Sequence, residues 1–364
     1  MSQNKYDVVV VGGGSAGLLL GHELKKRGVS FVLLEKKPDI GQGATRKTKG
    51  LVSLFAMDNP ARLEKDLGKG KASDLLSFFN RNNAQMRSAL NEFSVACKNG
   101  IWYGAGFDIE HEELTDSAHL LQNDAEWRTS SPVLDAEGIL YVKTAFSFDA
   151  LTLIPSLKKS LSGFIVCDEN VVMIEKKSLS GDATTVITTK SSYDAEVVVL
   201  CANAYLPQIF QGWSKFLYPV RAQSIIAKQK VFDEPVIVNA GHEIYVPDEN
   251  GTWMGGINPN ATFDDLTYDE TPTDIFQGYM EMFFESRWGE KPEVVSRGAG
   301  TICMTQTGFP VIGPVPGRVD LIVMSGCGGR GWDYWAEGAN AVTKLILDGK
   351  NTLPSLFHPS NVFV

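Results

Sequence analysis

The sequence lacks the features that mark membrane, secreted and metal-binding proteins. No apolar run reaches the roughly 18 residues of a membrane-spanning helix, and the polar segment 1–5 shows no signal-peptide pattern. The 5 cysteines form no C-x-x-C pair and the 5 histidines are scattered, so neither a disulfide framework nor a metal site is predicted. We therefore expect a cytoplasmic protein without a membrane span or a metal.

Positive charge is also scarce. Lysine and arginine number 34 against 43 aspartates and glutamates, which gives a net charge of −9 and a pI of about 5.2. This balance disfavours a nucleic acid or an anionic membrane surface as the partner. The 364 residues, 43% of them apolar, are enough for about two globular domains. A small-molecule partner is the better expectation.

Residues 6–35 have the pattern of a complete nucleotide-binding unit. A run of valines predicts a strand buried on both faces, and an amphipathic helical segment and a second apolar strand follow it. Between the first strand and the helix lie Gly12, Gly14 and Gly17 in G-x-G-x-x-G spacing, which permits a tight turn and close approach of the backbone to a pyrophosphate. The helix N-terminus faces the same phosphates.

An acidic residue, Glu35, ends the second strand of this unit, where a carboxylate accepts the ribose hydroxyls of an adenosine. A carboxylate at that position disfavours a 2′-phosphate and therefore NADP. FAD and NAD remain. The position of the unit within a dozen residues of the N-terminus is typical of glutathione-reductase-like FAD proteins, which is an argument from fold only.

The rest of the chain predicts an α/β protein, α+β overall, with a Rossmann domain interleaved with a second domain. Apolar strands at residues 196–200 and 320–324 return to the nucleotide-binding sheet, and a glycine-rich turn at 326–331 precedes a helix predicted over 332–347. Segments 219–228, 235–245 and 253–257 predict antiparallel strands of the second layer. We assign residues 1–80, 145–215 and 300–364 to the FAD-binding domain, and residues 81–144 and 216–299 to a substrate domain with a mixed or antiparallel sheet.

Four blocks of sequence resemble the D-amino acid oxidase superfamily, which includes glycine oxidase, sarcosine oxidase and related amine oxidases. The blocks are VVVVGGGSAG with Glu35, the basic loop GATRKTKG, VVVLCANAY followed by YPVRAQ, and GFPVIGPVPG leading to LIVMSGCGGRG. The last block is the most telling, because in this family a second glycine turn places a helix N-terminus at the flavin pyrimidine, where negative charge accumulates on reduction. By itself, the basic loop is also consistent with a solvated surface segment.

The resemblance implies FAD as the cofactor and a set of contacting residues. The cofactor-binding candidates are Gly12, Gly14, Ser15, Ala16, Gly17, Glu35, Lys36, Thr45, Arg46, Val172, Ala202, Cys303, Gly328, Gly329, Arg330, Gly331 and Trp332. Cys303 lies in CMTQT, which is similar to the region where sarcosine-oxidase-like enzymes attach FAD covalently. The alternative is a buried cysteine that only packs.

The resemblance also implies oxidation of a C–N bond in a small amine or amino acid, with oxygen or another electron acceptor. The catalytic candidates are Lys49, Arg330, Asp333, Tyr245 and Trp332. Ile302 stands where glycine-oxidase-like members have an arginine for the substrate carboxylate, so Lys49 is the candidate for that role. Asp333 would attract a cationic amine; alternatively, it pairs locally and points away from the substrate.

Two other functions remain open at this point. Residues 50–70 also resemble the loop and helix of 2-hydroxyglutarate and glycerol-3-phosphate dehydrogenases, which favours a 2-hydroxy acid as the substrate. The third possibility is a flavoprotein whose FAD is structural. Reduction of the flavin by a panel of small molecules separates these alternatives.

Overall fold

The structure is a computed structural model that describes residues 4–56, 58–106, 108–129, 133, 138–176, 183–257 and 263–363. Within these residues the α-helices are α1 (Ser15–Lys26), α2 (Pro60–Leu67), α3 (Lys69–Glu92), α4 (Asp108–Leu121), α5 (Ala150–Ser160), α6 (Leu206–Ile209), α7 (Asp274–Trp288) and α8 (Trp335–Asp348). The strands are β1 (Asn4–Val11), β2 (Phe31–Leu34), β3 (Gly50–Val52), β4 (Cys97–Gly104), β5 (Ala125–Arg128), β6 (Ile139–Phe148), β7 (Ile165–Val166), β8 (Val171–Lys176), β9 (Thr184–Thr188), β10 (Ser192–Leu200), β11 (Leu217–Ala227), β12 (Val236–Val238), β13 (Glu243–Asp248), β14 (Gly251–Gly256), β15 (Val294–Thr305), β16 (Val311–Val315) and β17 (Arg318–Ser325).

The first sheet is the nucleotide-binding layer that the sequence predicts. Its main path runs β16-β17-β10-β1-β2-β7, and the β8-β9 hairpin extends it from β10. The pairs between β17, β10, β1, β2 and β7 are parallel. Helix α1, which packs against α5 and α8, covers the face of the sheet that carries Val8 and Val10, whereas Val9 and Val11 are buried in a second apolar cluster on the opposite face. The carboxyl ends of β1, β10 and β17 therefore meet at one edge, where ligands of such sheets bind.

The second sheet is mixed and runs β15-β11-β14-β13-β12-β4-β6-β3, with β5 paired to β6. Most of its pairs are antiparallel, whereas β12 and β4 are parallel. The structure thus confirms a Rossmann-type layer combined with a mixed second sheet. The chain enters the first sheet three times and the second sheet twice, as an interleaved arrangement requires.

The structure differs from the sequence-based expectation in the bounds of two elements and in four additional strands. The strand predicted over 235–245 is divided into β12 and β13, because Asn239, Ala240 and Gly241 all adopt positive φ. The last helix begins at Trp335 rather than at position 332, since residues Gly331–Asp333 form a 3-10 turn. Strands β3, β5, β15 and β16 were not predicted as strands.

The domain boundaries remain a prediction. Strand β3 lies inside the segment 1–80 assigned to the FAD-binding domain but pairs with the second sheet, and β15 crosses the proposed boundary at 300. Among the helices that the structure describes, none has the length and apolarity needed to cross a membrane.

Candidate active site

A cavity of about 350 Å³ lies at the carboxyl edge of the first sheet and extends to the second sheet. Both glycine-rich turns contribute to its walls: Gly12 and Gly14 from the first turn, and the segment 328–331 from the second. Two glycine-rich backbone segments therefore bound the cavity. This shape suits an elongated ligand with phosphates near one turn and a planar ring near the other.

The first glycine turn is packed so closely that side chains are excluded. A Cβ at position 17 would lie 2.0 Å from the carbonyl oxygen of Gly12, and a Cβ at position 12 would lie 2.8 Å from the carbonyl oxygen of Cys201. Gly12 also has a φ of +110°. Gly17 thus lets α1 pack against the turn, and Gly12 lets the turn pack against the end of β10.

Glu35 occupies the adenosine end of the cavity. Its Oε2 accepts a hydrogen bond from the Gly13 amide at 2.7 Å, and its Oε1 accepts one from the Lys37 amide at 2.9 Å. The Nζ of Lys36 lies 3.4 Å from the centre of the Tyr205 ring. Burial lowers the pKa of Lys36, against the opposing effect of Glu35. The two amide hydrogen bonds therefore hold the Glu35 carboxylate in place beside the phosphate-binding turn.

Basic side chains also line the large cavity. Lys36, Lys37 and Lys47 are among its wall residues, and Lys47 also pairs with Glu270. Thr45 accepts a hydrogen bond from the Ser15 amide at the start of α1, at 3.0 Å. Lysines beside a helix N-terminus provide the positive potential that a pyrophosphate requires.

A buried ion pair lies behind the second glycine turn. Arg330 Nε donates to Asp333 Oδ2 at 2.7 Å, and the other carboxylate oxygen accepts from the Ser53 amide at 2.6 Å. Burial raises the pKa of the Asp333 carboxyl, and the neighbouring guanidinium opposes that shift. Arg330 lines the cavity, and its Nη1 is buried without a hydrogen-bond partner among the described residues.

A smaller cavity adjoins the second turn and shares much of its wall with the large one. Thr48, Lys49, Leu51, Ile244, Trp253, Gly329, Arg330 and Trp332 line it. The Lys49 ammonium pairs with Asp248, whose other oxygen accepts the Asn250 amide at 3.0 Å. Four of the eight residues that line the small cavity are apolar, and its two cationic side chains each have a carboxylate partner.

The structure brings most of the predicted residues together. The predicted residues that line the two cavities are Gly12, Gly14, Ser15, Ala16, Glu35, Lys36, Thr45, Lys49, Val172, Ala202, Gly328, Gly329, Arg330, Gly331 and Trp332. Gly17 lies outside the lining, where it lets α1 pack closely against the turn. Arg46 is exposed and also outside the lining, because the 3-10 turn Ala44–Lys47 points Thr45 inward instead.

Three further predicted residues do not line either cavity. Tyr245 is buried on the opposite face of β13 from the wall residue Ile244, donates to Glu243 at 2.9 Å, and packs against α7. Alternation along a strand explains this placement. Asp333 contacts Arg330 and Ser53 rather than the cavity, which is the local pairing considered as the alternative.

Cys303 is the third of these residues. Its thiol is fully buried in the core, where burial raises its pKa to about 12, and Ser325 is its hydroxyl neighbour at 3.7 Å. Ile302, which precedes Cys303 in β15, lines the cavity instead. The structure therefore does not place Cys303 where it could bond to a ligand in the cavity.

Several wall residues were not singled out from the sequence. Examples are Lys47, Tyr205, Thr301 and Met324. Tyr205 lies five residues after the end of β10, which was a usable signal because strand ends meet at the ligand edge. Met324 carried no such signal, since apolar residues in strands usually belong to the core. Trp253 was considered as a pocket aromatic but not retained, since aromatic residues in apolar segments usually pack in the core, and it does line the cavity.

The fold and this cavity define a dinucleotide-binding oxidoreductase of the Rossmann type. The family profile described as FAD dependent oxidoreductase matches residues 7–345. Since this match spans most of the sequence, the chain belongs to the D-amino acid oxidase (DAO) family of FAD-dependent oxidoreductases. It is therefore an enzyme of the FAD-dependent type.

Individual relatives agree with this assignment. The chain is 22% identical over 342 residues to glycine oxidase of Geobacillus kaustophilus, covering 89% of this chain and 88% of the relative. The crystal structure of that organism's glycine oxidase superposes with a TM-score of 0.79 at 20% identity, covering 98% of each chain. L-proline dehydrogenase from P. horikoshii superposes with a TM-score of 0.82 at 20% identity, covering 98% of this chain and 97% of that one. These likenesses establish a shared fold.

The residues present fit FAD. The first turn and Glu35 match an adenosine diphosphate, the lysines match a pyrophosphate, and the buried Nη1 of Arg330 is an unused donor at the far end. Glycines occupy the positions where a Cβ would meet backbone or ring atoms, as at Gly12 and Gly331. The cavity thus has suitable chemistry along its whole length.

Proposed function

We propose that this enzyme oxidises the C–N bond of a small amine or amino acid and yields an imine that water hydrolyses. The observation that supports it most directly is the wall beside the second glycine turn, where a small cavity of about 20 Å³ adjoins the large one and Lys49 is among its lining residues. The names of two similar proteins, glycine oxidase and L-proline dehydrogenase, specify amino acids and support this substrate class. Neither of these two names specifies a 2-hydroxy acid.

The chemistry divides between the cofactor and the protein. Bound FAD supplies the acceptor for a hydride from the carbon beside the substrate nitrogen. The nitrogen lone pair then forms the C=N bond, and addition of water releases the carbonyl product and the amine. The protein must therefore hold the substrate C–H toward the cofactor and exclude bulk water.

Lys49 is our candidate for orienting the substrate. Its ammonium lies in the wall of the small cavity, and Asp248 holds it from the side. A substrate carboxylate would bind there by a charge-assisted hydrogen bond. Ile302 provides an apolar wall at the position of the arginine found in glycine-oxidase-like members. Trp253, Ile244 and Trp332 would cover the substrate and limit water.

Arg330 has a different role in this proposal. Its guanidinium lines the cavity, and the adjacent Asp333 fixes its orientation. A positive charge held there stabilises negative charge that develops on a bound ring, without moving when the reaction occurs. Asp333 is then a positioning residue that acts through Arg330, and Lys49 and Trp332 would be the substrate contacts. Non-covalent FAD is expected from the position of Cys303.

The first test is an anaerobic titration of the purified holoenzyme. Amines, amino acids and hydroxy acids are added singly while the absorbance band of the oxidised flavin is followed, and air is then admitted. Bleaching by an amine or amino acid supports the proposal, and recovery of the band in air shows that oxygen is the acceptor. Bleaching only by hydroxy acids, or by none of the three classes, would contradict it and favour a dehydrogenase of another type or a structural FAD.

The Lys49→Met variant shows whether the substrate carries a carboxylate. For an amino acid we expect KM to rise by about tenfold or more, because the lost charge-assisted hydrogen bond contributes roughly 1.5–3 kcal/mol. For an amine that lacks a carboxylate, KM should change little. Lys228→Met is the matched control, since Lys228 pairs with Glu293 on the surface and lies outside both cavities.

A further inference from the structure

The wall of the large cavity includes a turn with an unfavourable backbone conformation, which leads to a residue that also lines the small cavity. Asn239, Ala240 and Gly241 have φ values of +54°, +49° and +83°. Left-handed conformations are rare for residues other than glycine, and a run of them is rarer. Gly241 lines the large cavity, and Ile244 shortly after it lines both cavities. The conformation of this turn therefore sets where the wall begins.

A buried carboxylate on α4 holds the turn. Glu110 is only 3% exposed, and its Oε1 accepts a hydrogen bond from the Ala240 amide at 2.6 Å. Its Oε2 accepts one from the Gly106 amide, also at 2.6 Å. Hydrogen bonds to a carboxylate are stronger than those between neutral groups. Glu110 thus binds two separate loops at once.

The two loops are neighbours because β4 and β12 are parallel. Gly104 pairs with Val238 at the carboxyl ends of these strands, so the segments that follow leave the sheet side by side. A Cβ at Gly106 would lie 2.9 Å from the Cβ of Asn239, which shows how closely the loops pack. The helix that begins at Asp108 places its third residue, Glu110, against both backbones.

We propose that Glu110 is a positioning residue for the substrate cavity, because its buried carboxylate fixes the left-handed turn from which the wall residues Gly241 and Ile244 extend. The inference rests on the proposed function and adds to it a residue that contacts neither substrate nor cofactor. A glutamine at position 110 keeps one acceptor oxygen and replaces the other with an NH2 donor, so it can no longer accept from the Ala240 and Gly106 amides at once. The wall then becomes mobile while the FAD end of the cavity, built on the other sheet, is unchanged.

The test compares Glu110→Gln with Glu113→Gln in the holoenzyme. Glu113 lies on the same helix and is also buried, but it bonds Asn59 and Arg62 and not the turn. For Glu110→Gln we expect KM to rise about tenfold with kcat within about twofold, an unchanged FAD content, and amide hydrogen exchange in residues 238–243 accelerated by tenfold or more. Glu113→Gln should show none of the changes in KM or in exchange of the turn.

A second substitution examines the mechanism. Ala240→Gly removes the steric cost of the left-handed conformation, so in the Glu110→Gln background it should return KM at least halfway, on a logarithmic scale, to the wild-type value. The inference would be overturned by an absence of rescue, by an unchanged KM in Glu110→Gln, or by an equal rise of KM in Glu113→Gln. If no amine reduces the wild-type flavin, the proposed function fails, and hydrogen exchange of the turn alone decides the role of Glu110.

Discussion

The two glycine turns both form walls of the cavity, but different interactions hold each turn in place. The first passes directly into a regular helix at Ser15, and its contacts at Gly12 and Gly17 are with backbone atoms. The second passes through the 3-10 turn Gly331–Asp333 before α8 begins, and it includes one partner of a buried ion pair. Close backbone packing thus distinguishes the first turn, and a buried pair of charged side chains distinguishes the second.

This difference explains why the two ends of the cavity suit different parts of a dinucleotide. A phosphate is recognised by amides and a helix dipole, which glycine spacing provides. A ring that changes charge during a reaction is stabilised by a fixed charge of opposite sign nearby, which a side chain such as Arg330 supplies. A carboxylate partner is then required, because an unpaired buried guanidinium is costly.

The largest expected effect comes from breaking the ion pair at the second turn. Asp333→Asn leaves the Arg330 charge buried without a countercharge, and we expect the free energy of unfolding of the apoprotein to fall by about 3–5 kcal/mol. Urea denaturation measures it. Glu293→Gln, at the exposed pair with Lys228, should cost no more than about 1 kcal/mol.

The double variant Arg330→Met/Asp333→Leu sharpens this comparison. Because apolar side chains replace both charges, it should recover most of the stability that Asp333→Asn loses. A loss below about 1 kcal/mol in Asp333→Asn, or no recovery in the double variant, would show that the pair is not the element that holds this turn.

A backbone clash at the first turn should have the next largest effect. Gly17→Ala would place a methyl group 2.0 Å from the Gly12 carbonyl oxygen, and no side chain can move aside to relieve it. We expect a stability loss of roughly 3 kcal/mol and a weaker affinity for FAD, measured by denaturation and by fluorescence of released FAD. Gly70→Ala is the control, since nothing lies within 4 Å of its Cβ. Normal FAD binding by Gly17→Ala would contradict the packing argument.

The smallest effect concerns the strand that carries the second turn. The Arg318 hydrogen bonds lower the pKa of Asp320 from its ordinary value of 3.8 to about 2. A lowered carboxyl pKa adds stability above the pKa of the unfolded state, and this stability is lost as pH falls from about 4 to 2. Because Arg318 is partly exposed, we expect about 1 kcal/mol.

Measurement of the free energy of unfolding against pH for wild type and Asp320→Asn tests this effect. The difference between the two proteins should be present at pH 6 and should shrink toward pH 2. A difference that is independent of pH would mean that the Asp320 charge does not stabilise β17.

The substrate end of the cavity was less predictable than the cofactor end. Lys49 and Trp332 were named from the sequence and lie in the wall of the small cavity, but Tyr245 and Asp333 lie outside it. Tyr245 lies outside it because the face of β13 that meets the cavity depends on the pairing of β13 with β12 and β14, which no local pattern reveals. Cys303 lies in the core, which is the alternative that the sequence left open, and its neighbour Ile302 lines the cavity.

The sequence by itself determined the nucleotide-binding unit, the three entries into the first sheet and the family. Those features depend on local periodicity and on glycine spacing, both of which are written in consecutive residues. Only the tertiary structure decided that Asp333 pairs with Arg330, that Lys49 meets Asp248, and that Glu110 reaches the turn at Ala240. In each of the last two pairs the partners are separated by more than a hundred residues of sequence. Their contact therefore depends on the packing of whole sheets and helices.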